Sequence, residues 1–393
     1  MARGFKNNCL LKWQWEFRER RDDGAGLCHE LGLNPLLALV MAARGYSDPA
    51  EAQAFLEPSI RASRDPSELK DMDRAVERLV CAINNNEHVW VYGDYDVDGI
   101  TATVMLLRFF KWLGKKADYY IPNRLTEGYG LNRTAIDRIA AAGAQLLITV
   151  DNGISSIEEV RHARQLGMDV LITDHHQSGD SLPEASAVVN PNRADALYDA
   201  APLAGVGVAF KLIHATARGL GIPADKARSF LMGMLDLVAL GTVADIVPLI
   251  GENRIFVREG LKRLKNTDKV GLKTLLDLAW GRDREVCSEA VSFSLAPRMN
   301  AAGRHDKAPL CVDLLMTEDS LKAVELTRQL NHLNDERRKL EADILESCLS
   351  FIDQRLETEQ EDVIVIQGEG WHIGVVGIVA SRILERYYRP VIV

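Results

Sequence analysis

The sequence predicts an α/β fold, in which a doubly wound parallel sheet is joined by a long helix to a second, incomplete α/β domain. Three observations lead to this prediction. Short apolar segments rich in β-forming residues alternate with helical segments between residues 88 and 191, which is typical of parallel sheets. Residues 317–360 contain neither glycine nor proline and carry apolar residues at helical spacings. A new strand–helix–strand pattern then begins at residue 361.

The predicted sheet consists of five apolar segments. They are residues 88–92, 116–122, 144–150, 168–173 and 185–191. Helical segments at 100–113, 131–143 and 155–167 lie between them, and each closes at a glycine that can adopt the left-handed conformation of a helix end. Ser155 and Ser156 each have a glutamate three residues later, which predicts a capping box at the start of the third helix.

Helical segments come both before and after the predicted sheet in the sequence. Residues 1–85 predict a helical adaptor, whose last part, 65–85, has the pattern of one amphipathic helix. Residues 203–221 and 224–241 predict two apolar helices. The second leads into Asp245, and an aspartate among apolar neighbours is not expected to be a free surface charge.

Four domains or segments follow from these patterns: the adaptor 1–85, a catalytic sheet domain 86–316, a connecting helix 317–360, and a second domain starting at 361. The connector is one long helix or two end to end. Its heptad is not sustained, so we interpret it as a spacer and not as a coiled coil. The last predicted strand has scarcely begun at Val393, and we expect the chain to be an incomplete copy of a longer protein.

Composition limits the classes of protein that are possible. Of the 393 residues, 47% are hydrophobic and 26% are charged, which is ordinary for a soluble globular protein. We find no apolar run of the ~18 residues that a membrane span needs, and no signal peptide. The six cysteines are scattered without a CxxC spacing, which favours a reducing cytoplasm over a disulfide framework or a zinc ribbon.

The net charge of −9 counts mildly against a nucleic-acid-binding protein, because such proteins usually carry a basic excess. It does not exclude one. Carboxylates that hold metal ions add to the negative total, and a local basic groove does not show in a sum over the whole chain.

The segment 91–103, VYGDYDVDGITAT, carries aspartates at three alternating positions, 94, 96 and 98. Ionised carboxylates at ~4 Å spacing repel one another at a cost of several kcal/mol, and a bound cation relieves this repulsion. The pattern DxDxDG also opens an EF-hand loop, but the twelfth position, which needs a glutamate, is Met105 here. A solvated acidic turn is the other interpretation of the segment taken alone.

Metal-type side chains follow three of the five predicted strands: aspartates 94–98, then Asp151, then Asp174, His175 and His176. Ligands bind beyond the carboxyl ends of such strands, which lie about 4.8 Å apart, so these side chains should converge. A single aspartate or histidine is more often a satisfied core residue, but three sets at equivalent positions favour a metal site. Carboxylates and imidazoles without thiolates suit two or more Mn²⁺ or Mg²⁺ ions.

Four motifs occur in the order VYGDYDVDG, VDNGISS, TDHH and GTVADIVPL. Together they resemble the motifs of the DHH phosphoesterase family. The segments LAGVGVAFKLI, PRMNAAGR and WHIGVVGIVASRI are similar to those of its RecJ branch, the single-strand-specific 5′→3′ DNA exonucleases. The letters DHH alone are a weak signal, whereas the ordered set is specific and extends from about residue 12 to residue 393.

The resemblance implies a site for two metal ions. Five residues would bind them: Asp96, Asp98, Asp151, His175 and Asp245. Asp151 would bridge both ions, and His176 would face the scissile phosphate. Asp94 and Asp174 would be hydrogen-bonding partners or additional ligands. Some family members have a histidine where this chain has Tyr92, so one ion would have fewer protein ligands here.

The resemblance also assigns residues to the substrate. Arg304 lies in a polar, cationic segment, 297–307, that the sequence predicts as a loop. It would contact phosphate and take part in catalysis with Asp151 and His176, and Arg124 would be a further phosphate contact. A solvated turn is the alternative for this segment.

A glycine-rich turn enters the last helix of the chain and reaches it at Gly374. Such a helix N-terminus is a ready phosphate site, although plain packing explains the glycines equally well. The resemblance implies that Gly374, His372 and Arg382 belong to a second domain of the family and face the substrate.

Taken together, the residues and the resemblance predict a manganese- or magnesium-dependent exonuclease that degrades single-stranded DNA from its 5′ end in recombination and repair. We expect a monomer in the cytoplasm, without membrane association, whose partners are single-stranded DNA, a single-strand-binding protein and a helicase. The OB-type domain of the family is not within this chain. Two alternatives stay open: a DHH phosphodiesterase of cyclic dinucleotides or short oligoribonucleotides, and a non-catalytic replication scaffold with the same fold.

Overall fold

The computed structural model describes residues 24–196, 203–356 and 362–393. Its contacts divide the chain into two compact units, residues 1–59 and 60–393. The domain boundaries expected from the sequence at residues 85, 316 and 360 remain predictions.

Three short helices make up the described part of the first unit: α1 (Ala25–Leu31), α2 (Pro35–Ala43) and α3 (Pro49–Leu56). A proline opens α2 and another opens α3, each directly after a residue, Asn34 or Asp48, whose side chain caps the helix. Proline is favoured there because the first turn of a helix needs no donor at that position.

The second unit is built on a five-stranded sheet in the order β2-β1-β3-β4-β5, and every pairing in it is parallel. The strands are β1 (Val89–Tyr92), β2 (Ala117–Tyr120), β3 (Leu146–Val150), β4 (Asp169–Thr173) and β5 (Ala187–Val189). The five predicted strands are thus confirmed. The strand order reverses between β1 and β3, and in doubly wound sheets the binding crevice lies at such a switch point.

Helices cover both faces of this sheet. They are α4 (Met72–Asn84), α5 (Val97–Trp112), α6 (Arg133–Ala141), α7 (Ile157–Gln165), α8 (Gly205–Gly219) and α9 (Ala224–Ala244). Because side chains alternate along a strand, Leu146, Ile148 and Val150 join the larger core with α4, α5, α8 and α9, whereas Leu147 joins a smaller core with α6 and α7.

The rest of the second unit is mainly helical. Its elements are α10 (Gly251–Lys265), α11 (Val270–Ala279), α12 (Ser288–Ala290), a π-helical turn (Val291–Leu295), α13 (Ala296–Arg304), α14 (Pro309–Met316), α15 (Ser320–Leu356), β6 (Ile364–Val365), α16 (Ile373–Tyr387) and β7 (Val391–Ile392). The connector is therefore a single helix, α15, and β6 pairs with β7 in parallel.

One predicted capping box and one predicted helix are wrong. Helix α7 begins where the sequence predicts, with Ser156 at its N-cap position, but the Ser156 side chain makes no capping bond. The segment 65–85 is not one helix. A capping box between Asp65 and Glu68 starts a short 3₁₀ turn, Pro66–Glu68, and α4 starts only after Asp71, which has a left-handed conformation.

The cationic segment 297–307 is largely helical, so the predicted loop is wrong. Its small and apolar residues, among them Met299, Ala301 and Ala302, are buried and pack α13 against the core. The polar residues between them are only partly buried. The prediction weighed the charges and missed this helical spacing.

Helix α9 meets the length and composition of a membrane-spanning helix, with a mean hydropathy of 1.4 over an 18-residue window. No such run is expected from the sequence alone. However, 61% of that window is buried inside the protein, which is typical of a core helix.

Candidate metal centre

The first acidic segment forms the turn between β1 and α5. Helix α5 starts at Val97 and not at residue 100 as predicted, and Asp96 caps it by accepting the amide of Gly99 at 3.1 Å. Asp98 therefore lies in the first turn of the helix, where it is 1% exposed. Asp94, in the preceding turn, is 3% exposed.

Asp98 is held by the N-terminus of α8. The amide of Gly205 donates to its Oδ2 at 2.6 Å, and the amide of Val206 donates to its Oδ1 at 2.9 Å. The partial positive charge of a helix N-terminus stabilises a carboxylate there. These bonds fix the orientation of Asp98, whose Oδ2 lies 3.8 Å from His175 Nε2.

Asp151 follows β3 directly and adopts a left-handed conformation, with φ of 62°. Its amide still donates to the carbonyl of Thr173 at 3.0 Å, which ties it to the end of β4. Left-handed backbone at a residue other than glycine costs about 1–3 kcal/mol and is found mainly at functional sites. The turn directs Oδ1 of Asp151 to within 3.0 Å of His175 Nε2.

Asp174 organises the segment after β4. Its Oδ2 accepts the amide of Ile154 at 2.9 Å, and its Oδ1 accepts the amide of His175 at 2.7 Å and the Nδ1–H of His176 at 2.8 Å. Although burial raises the pKa of this carboxyl, the bonds from His176 bring it below its ordinary value. With both oxygens engaged, Asp174 is placed to orient the two histidines.

Asp245 reaches the cluster from the C-terminal end of α9. Its Oδ2 lies 3.6 Å from His175 Nε2, and 20% of its side chain is exposed. The next residue, Ile246, is 88% exposed in a left-handed conformation. The aspartate is thus not enclosed by apolar residues on both sides, as its sequence neighbours suggested, but it does face the other acidic side chains.

These side chains form three overlapping groups whose ligand-type atoms lie within 4.8 Å of one another. The groups are Asp94, Asp96 and Asp151; Asp98, His175 and Asp245; and Asp151, His175 and His176. All five residues that the resemblance assigned to metal are therefore brought together, and so is Asp94. Asp174 belongs to none of the three groups.

Electrostatics favours a cation in this cluster. Burial, followed by repulsion from neighbouring carboxylates, raises the pKa of Asp98 and of Asp151 well above its ordinary value. The same causes raise the pKa of Asp94 to about 8 and that of Asp245 to about 7. Four buried atoms lack a hydrogen-bond partner: Asp94 Oδ1, Asp151 Oδ1, His175 Nε2 and Asp245 Oδ2. Oxygen and imidazole atoms left unpaired in this way fit divalent metal ions.

Tyr129, which the sequence analysis did not select, contacts the same cluster. Its hydroxyl donates to the backbone carbonyl of Asp151 at 3.2 Å and lies 3.1 Å from His176 Nδ1. The two rings meet edge to face, with centroids 5.5 Å apart. Tyr129 is 50% exposed, so it forms part of the open rim of the cluster.

Helix α13 packs directly against the acidic turn. Asn300 Oδ1 accepts the amide of Val97 at 3.2 Å, and a Cβ at Gly303 would collide with the carbonyl oxygen of Tyr95. Arg304 follows on the same helix, and Arg124 lies with its guanidinium 5.0 Å from the centre of the Tyr95 ring. The two predicted phosphate contacts thus both lie near Tyr95 of the acidic turn.

The last helix approaches Arg304. His372 caps α16 by accepting the amide of Gly374 at 3.1 Å, and the Arg304 guanidinium donates to the Gly374 carbonyl. Arg382, two turns further along α16, pairs with Glu341 of α15. Thus His372 and Gly374 lie beside Arg304, whereas Arg382 lies further from the acidic turn.

Comparison with known proteins agrees with this arrangement. The family model described as "DHH family, N-terminal domain" matches residues 88–242. The single-stranded-DNA-specific exonuclease RecJ of Escherichia coli (strain K12) is 39% identical over 399 residues, which cover 97% of this chain and 67% of that protein. The chain belongs to the RecJ family.

Other RecJ proteins are equally similar. That of Bacillus subtilis (strain 168) is 42% identical over 383 residues, or 97% of this chain and 47% of the relative. The chain thus spans about half the length of one relative and two thirds of the other. The crystal structure of RecJ with Mn²⁺ from Thermus thermophilus matches with a TM-score of 0.79 at 32% identity, over 94% of this chain and 51% of that one. Another manganese-bound exonuclease RecJ matches with a TM-score of 0.73 at 36% identity, over 82% of this chain and 79% of that one.

Glycines are the second class of site residue that the sequence analysis missed. In the RecJ-type segment LAGVGVAFKLI, a Cβ at Gly205 would lie 2.6 Å from Asp151 Cβ. On α9, a Cβ at Gly241 would lie 2.8 Å from Asp98 Oδ1. The helices can approach the carboxylates only because these positions lack side chains. A glycine within a helical pattern was the available signal, since glycine there costs stability and needs a packing reason.

Proposed function

We propose that the chain is a divalent-metal-dependent exonuclease that hydrolyses single-stranded DNA from the 5′ end. The observation that carries this proposal is the cluster of unpaired carboxylate and imidazole atoms at the switch point of the sheet. Membership of the RecJ family supports the substrate, because these relatives are named single-stranded-DNA-specific exonucleases. The 5′ polarity is taken from the motifs shared with that branch.

We infer that the ions are Mn²⁺ or Mg²⁺, which RecJ from Thermus thermophilus holds in its crystal structures. One group, Asp98, His175 and Asp245, would hold the first ion, and a second group, Asp94, Asp96 and Asp151, would hold the other. Asp151 Oδ1 also lies 3.0 Å from His175 Nε2, which supports its proposed role as a ligand shared by both ions. Two such ions would supply an activated water and neutralise charge that develops on the phosphate.

The protein's own residues would position the substrate. His176 gives its Nδ1–H to Asp174 at 2.8 Å, which leaves Nε2 to face a phosphate oxygen. The hydrogen bond with Asp174 raises the pKa of His176, so a proton is more readily held there. Arg304, which lies near Tyr95 of the acidic turn, adds a second cation that would stabilise negative charge on non-bridging oxygens.

The wider biological role is a proposal that follows from the family. We propose that the enzyme acts as a monomer in the cytoplasm during DNA recombination and repair, with a single-strand-binding protein and a helicase as partners. A helicase would supply the single strands that this substrate preference requires.

The test compares three substrates in the presence of Mn²⁺: a 5′-labelled single-stranded oligonucleotide, the same sequence as a blunt duplex, and a cyclic dinucleotide. We expect mononucleotide release from the single strand only. Asp151→Ala is the matched inactive variant, and its turnover should fall by at least ~10³-fold, because both ions lose a ligand.

Other outcomes would point to the alternatives. Preferred hydrolysis of the cyclic dinucleotide would indicate a DHH phosphodiesterase of small substrates. Absence of bound metal by elemental analysis, together with absence of any hydrolysis, would indicate a scaffold. Activity of Asp151→Ala within tenfold of the parent would remove Asp151 from the site.

A further inference from the structure

A groove leads away from the metal centre along α13, α15 and α16. It consists of two adjoining cavities of about 590 and 620 Å³, which share Phe293, Pro297 and Arg337 as walls. The first cavity begins at Asn300 and at the residues around the end of α9, and it includes Arg304. Ala244 and Ile246, the neighbours of Asp245, also line this cavity, so one end of the groove lies beside the acidic cluster.

The walls of this groove are strongly cationic. Five arginines and one glutamate line it: Arg298, Arg304, Arg337, Arg338, Arg382 and Glu341. Glu341 pairs with both Arg337 and Arg382, so most of the positive charge is left without a carboxylate in the groove. In a chain with a net charge of −9, this concentration of arginine indicates an anionic occupant that is long enough to follow both cavities.

One large aromatic side chain stands in this cationic groove. Phe293 is 76% exposed, which is unusual for phenylalanine because full burial is worth about 1.5–3 kcal/mol. Among the described residues that line the two cavities, it is the only aromatic one. Its position between the arginines makes it accessible to whatever the groove binds.

The local sequence explains why Phe293 points outward. Pro297, in the first turn of α13, cannot donate to the carbonyl of Phe293 four residues earlier, and its ring crowds that carbonyl. The chain widens into the π-helical turn Val291–Leu295 just before it, and the Arg298 side chain bonds the carbonyl of Ser294 at 2.6 Å. Such π-helical turns are frequent at functional sites.

We propose that Phe293 is a stacking platform for a nucleobase of the bound strand, on the groove side of the scissile phosphate. This inference rests on the proposed function, and it names a residue that selects single strands. A cationic groove that carries an aromatic platform is the usual arrangement for binding single-stranded nucleic acid without sequence preference. A base in a duplex is already stacked and paired, so it is not available to Phe293.

The charge and continuity of the groove favour a DNA strand over an apolar protein segment. Arg304 and Arg337 line the same cavity as Phe293 and Pro297, so negative charge and a flat apolar surface together suit an occupant of this cavity. Nucleotides combine both. One end of the groove also lies beside Asp245, one of the carboxylates that would hold the ions.

The test measures kcat/KM on a single-stranded oligonucleotide for Phe293→Ala, Phe293→Trp and a control, Phe351→Ala. Phe351 is 55% exposed on α15 and lines neither cavity. Loss of one stacked base corresponds to about 1–3 kcal/mol, so kcat/KM should fall by about 5- to 150-fold in Phe293→Ala. Phe293→Trp should restore it, and Phe351→Ala should stay within about twofold.

A second readout identifies the nucleotide. Single 2-aminopurine substitutions along the strand, with Ca²⁺ in place of Mn²⁺, should show quenching at one position in the parent, and this quenching should be lost in Phe293→Ala. Thermal unfolding and Mn²⁺ content, equal to those of the parent, verify that the variant is folded. If the parent degrades single strands and Phe293→Ala matches it in both readouts, the inference is overturned while the proposed function stands. A parent that degrades no single strand overturns the proposed function itself.

Discussion

Two adjacent histidines, His175 and His176, have opposite electrostatic environments. Burial, followed by the charge of His176, lowers the pKa of His175 to about 4, so it is neutral at pH 7 and able to act as a metal ligand. The hydrogen bond to Asp174 raises the pKa of His176, whose side chain is 44% exposed. The difference comes from the burial of His175 and from Asp174, which bonds the ring of His176 only.

The first prediction separates these roles. His176→Ala should retain its metal content but lose about 10²- to 10⁴-fold in turnover, the usual contribution of a positioned proton donor. His175→Ala, the matched variant, should lose metal as well as turnover. Elemental analysis and kcat at saturating Mn²⁺ check both. Loss of an ion in His176→Ala alone would show that the two assignments are reversed.

A second residue-scale prediction concerns Tyr129, whose hydroxyl bonds the carbonyl of Asp151 and lies beside the His176 ring. Tyr129→Phe removes one hydrogen bond, worth about 1 kcal/mol, and should lower kcat by about fivefold without loss of metal. The control is Tyr119→Phe on β2, since no hydrogen bond of the Tyr119 hydroxyl is found among the described residues. Equal kcat in Tyr129→Phe and the parent would mean that the hydroxyl does not help to orient His176.

The sequence identified the acidic and histidine residues of the site but not their supports. Aspartates and histidines at strand ends are chemically distinctive, so Asp151 and His175 could be found without knowing any contact. Tyr129 lies in a turn segment between β2 and α6, where a tyrosine has many ordinary explanations. Its contact with His176 depends on how that turn folds over the sheet, which no local pattern specifies.

At the scale of elements, two helix ends build the centre as much as the sheet does. The N-terminus of α8 binds Asp98 through two amides, and the C-terminal end of α9 carries Asp245. Both helices come close to the acidic turn through glycines. The apolar residues of the two helices predicted them from the sequence, but their orientation toward Asp98 could not be predicted. A pattern of apolar residues shows which face of a helix is buried, but not which element packs against that face.

Helix α9 contains a matched pair of glycines for a third prediction. A Cβ at Gly241 would collide with Thr101 Oγ1 and lie 2.8 Å from Asp98 Oδ1, whereas a Cβ at Gly233 meets nothing within 4 Å. Gly241→Ala should therefore displace Asp98 and weaken Mn²⁺ binding at least tenfold. Gly233→Ala should bind normally and gain up to about 1 kcal/mol in stability, because alanine is the better helix former.

Titration calorimetry with Mn²⁺ and thermal unfolding of both variants provide the measurement. Equal Mn²⁺ affinity in Gly241→Ala and Gly233→Ala would show that α9 can shift without disturbing Asp98. In that case the close packing of α9 at Gly241 is not needed to form the metal centre.

At the scale of the whole molecule, the net charge conceals two separate concentrations of opposite charge. Carboxylates gather at the switch point of the sheet, and five arginines gather in the adjoining groove. The sequence predicted the acidic site, since its members follow predicted strands. It could not predict the groove, because the arginines come from α13, α15 and α16, and only the packing of these helices brings them together.

The same crowding of carboxylates makes the stability of the metal-free protein depend on pH. In the folded protein, burial and the neighbouring Asp96 raise the pKa of Asp94 to about 8, and the same two causes raise that of Asp245 to about 7. In the unfolded chain, both have the ordinary value of about 3.9. The folded state therefore binds more protons, and its stabilising contribution is lost as the pH rises through these folded pKa values. The lowered pKa of His175 acts in the opposite direction only below about pH 6.5.

The final prediction is therefore set between pH 6.5 and 8.5. With EDTA, the melting temperature of the parent should fall across this range, because each proton released on unfolding lowers the free energy of unfolding by up to about 1.4 kcal/mol per pH unit. With saturating Mg²⁺ the fall should disappear, because the cation replaces the protons and binds better as the carboxylates ionise. Asp245→Asn should flatten the slope in EDTA, as one ionisable group is removed. Two results would contradict this prediction: a melting temperature that rises with pH in EDTA, or a slope that Mg²⁺ does not change. Either would mean that something other than a divalent cation relieves the repulsion between the carboxylates.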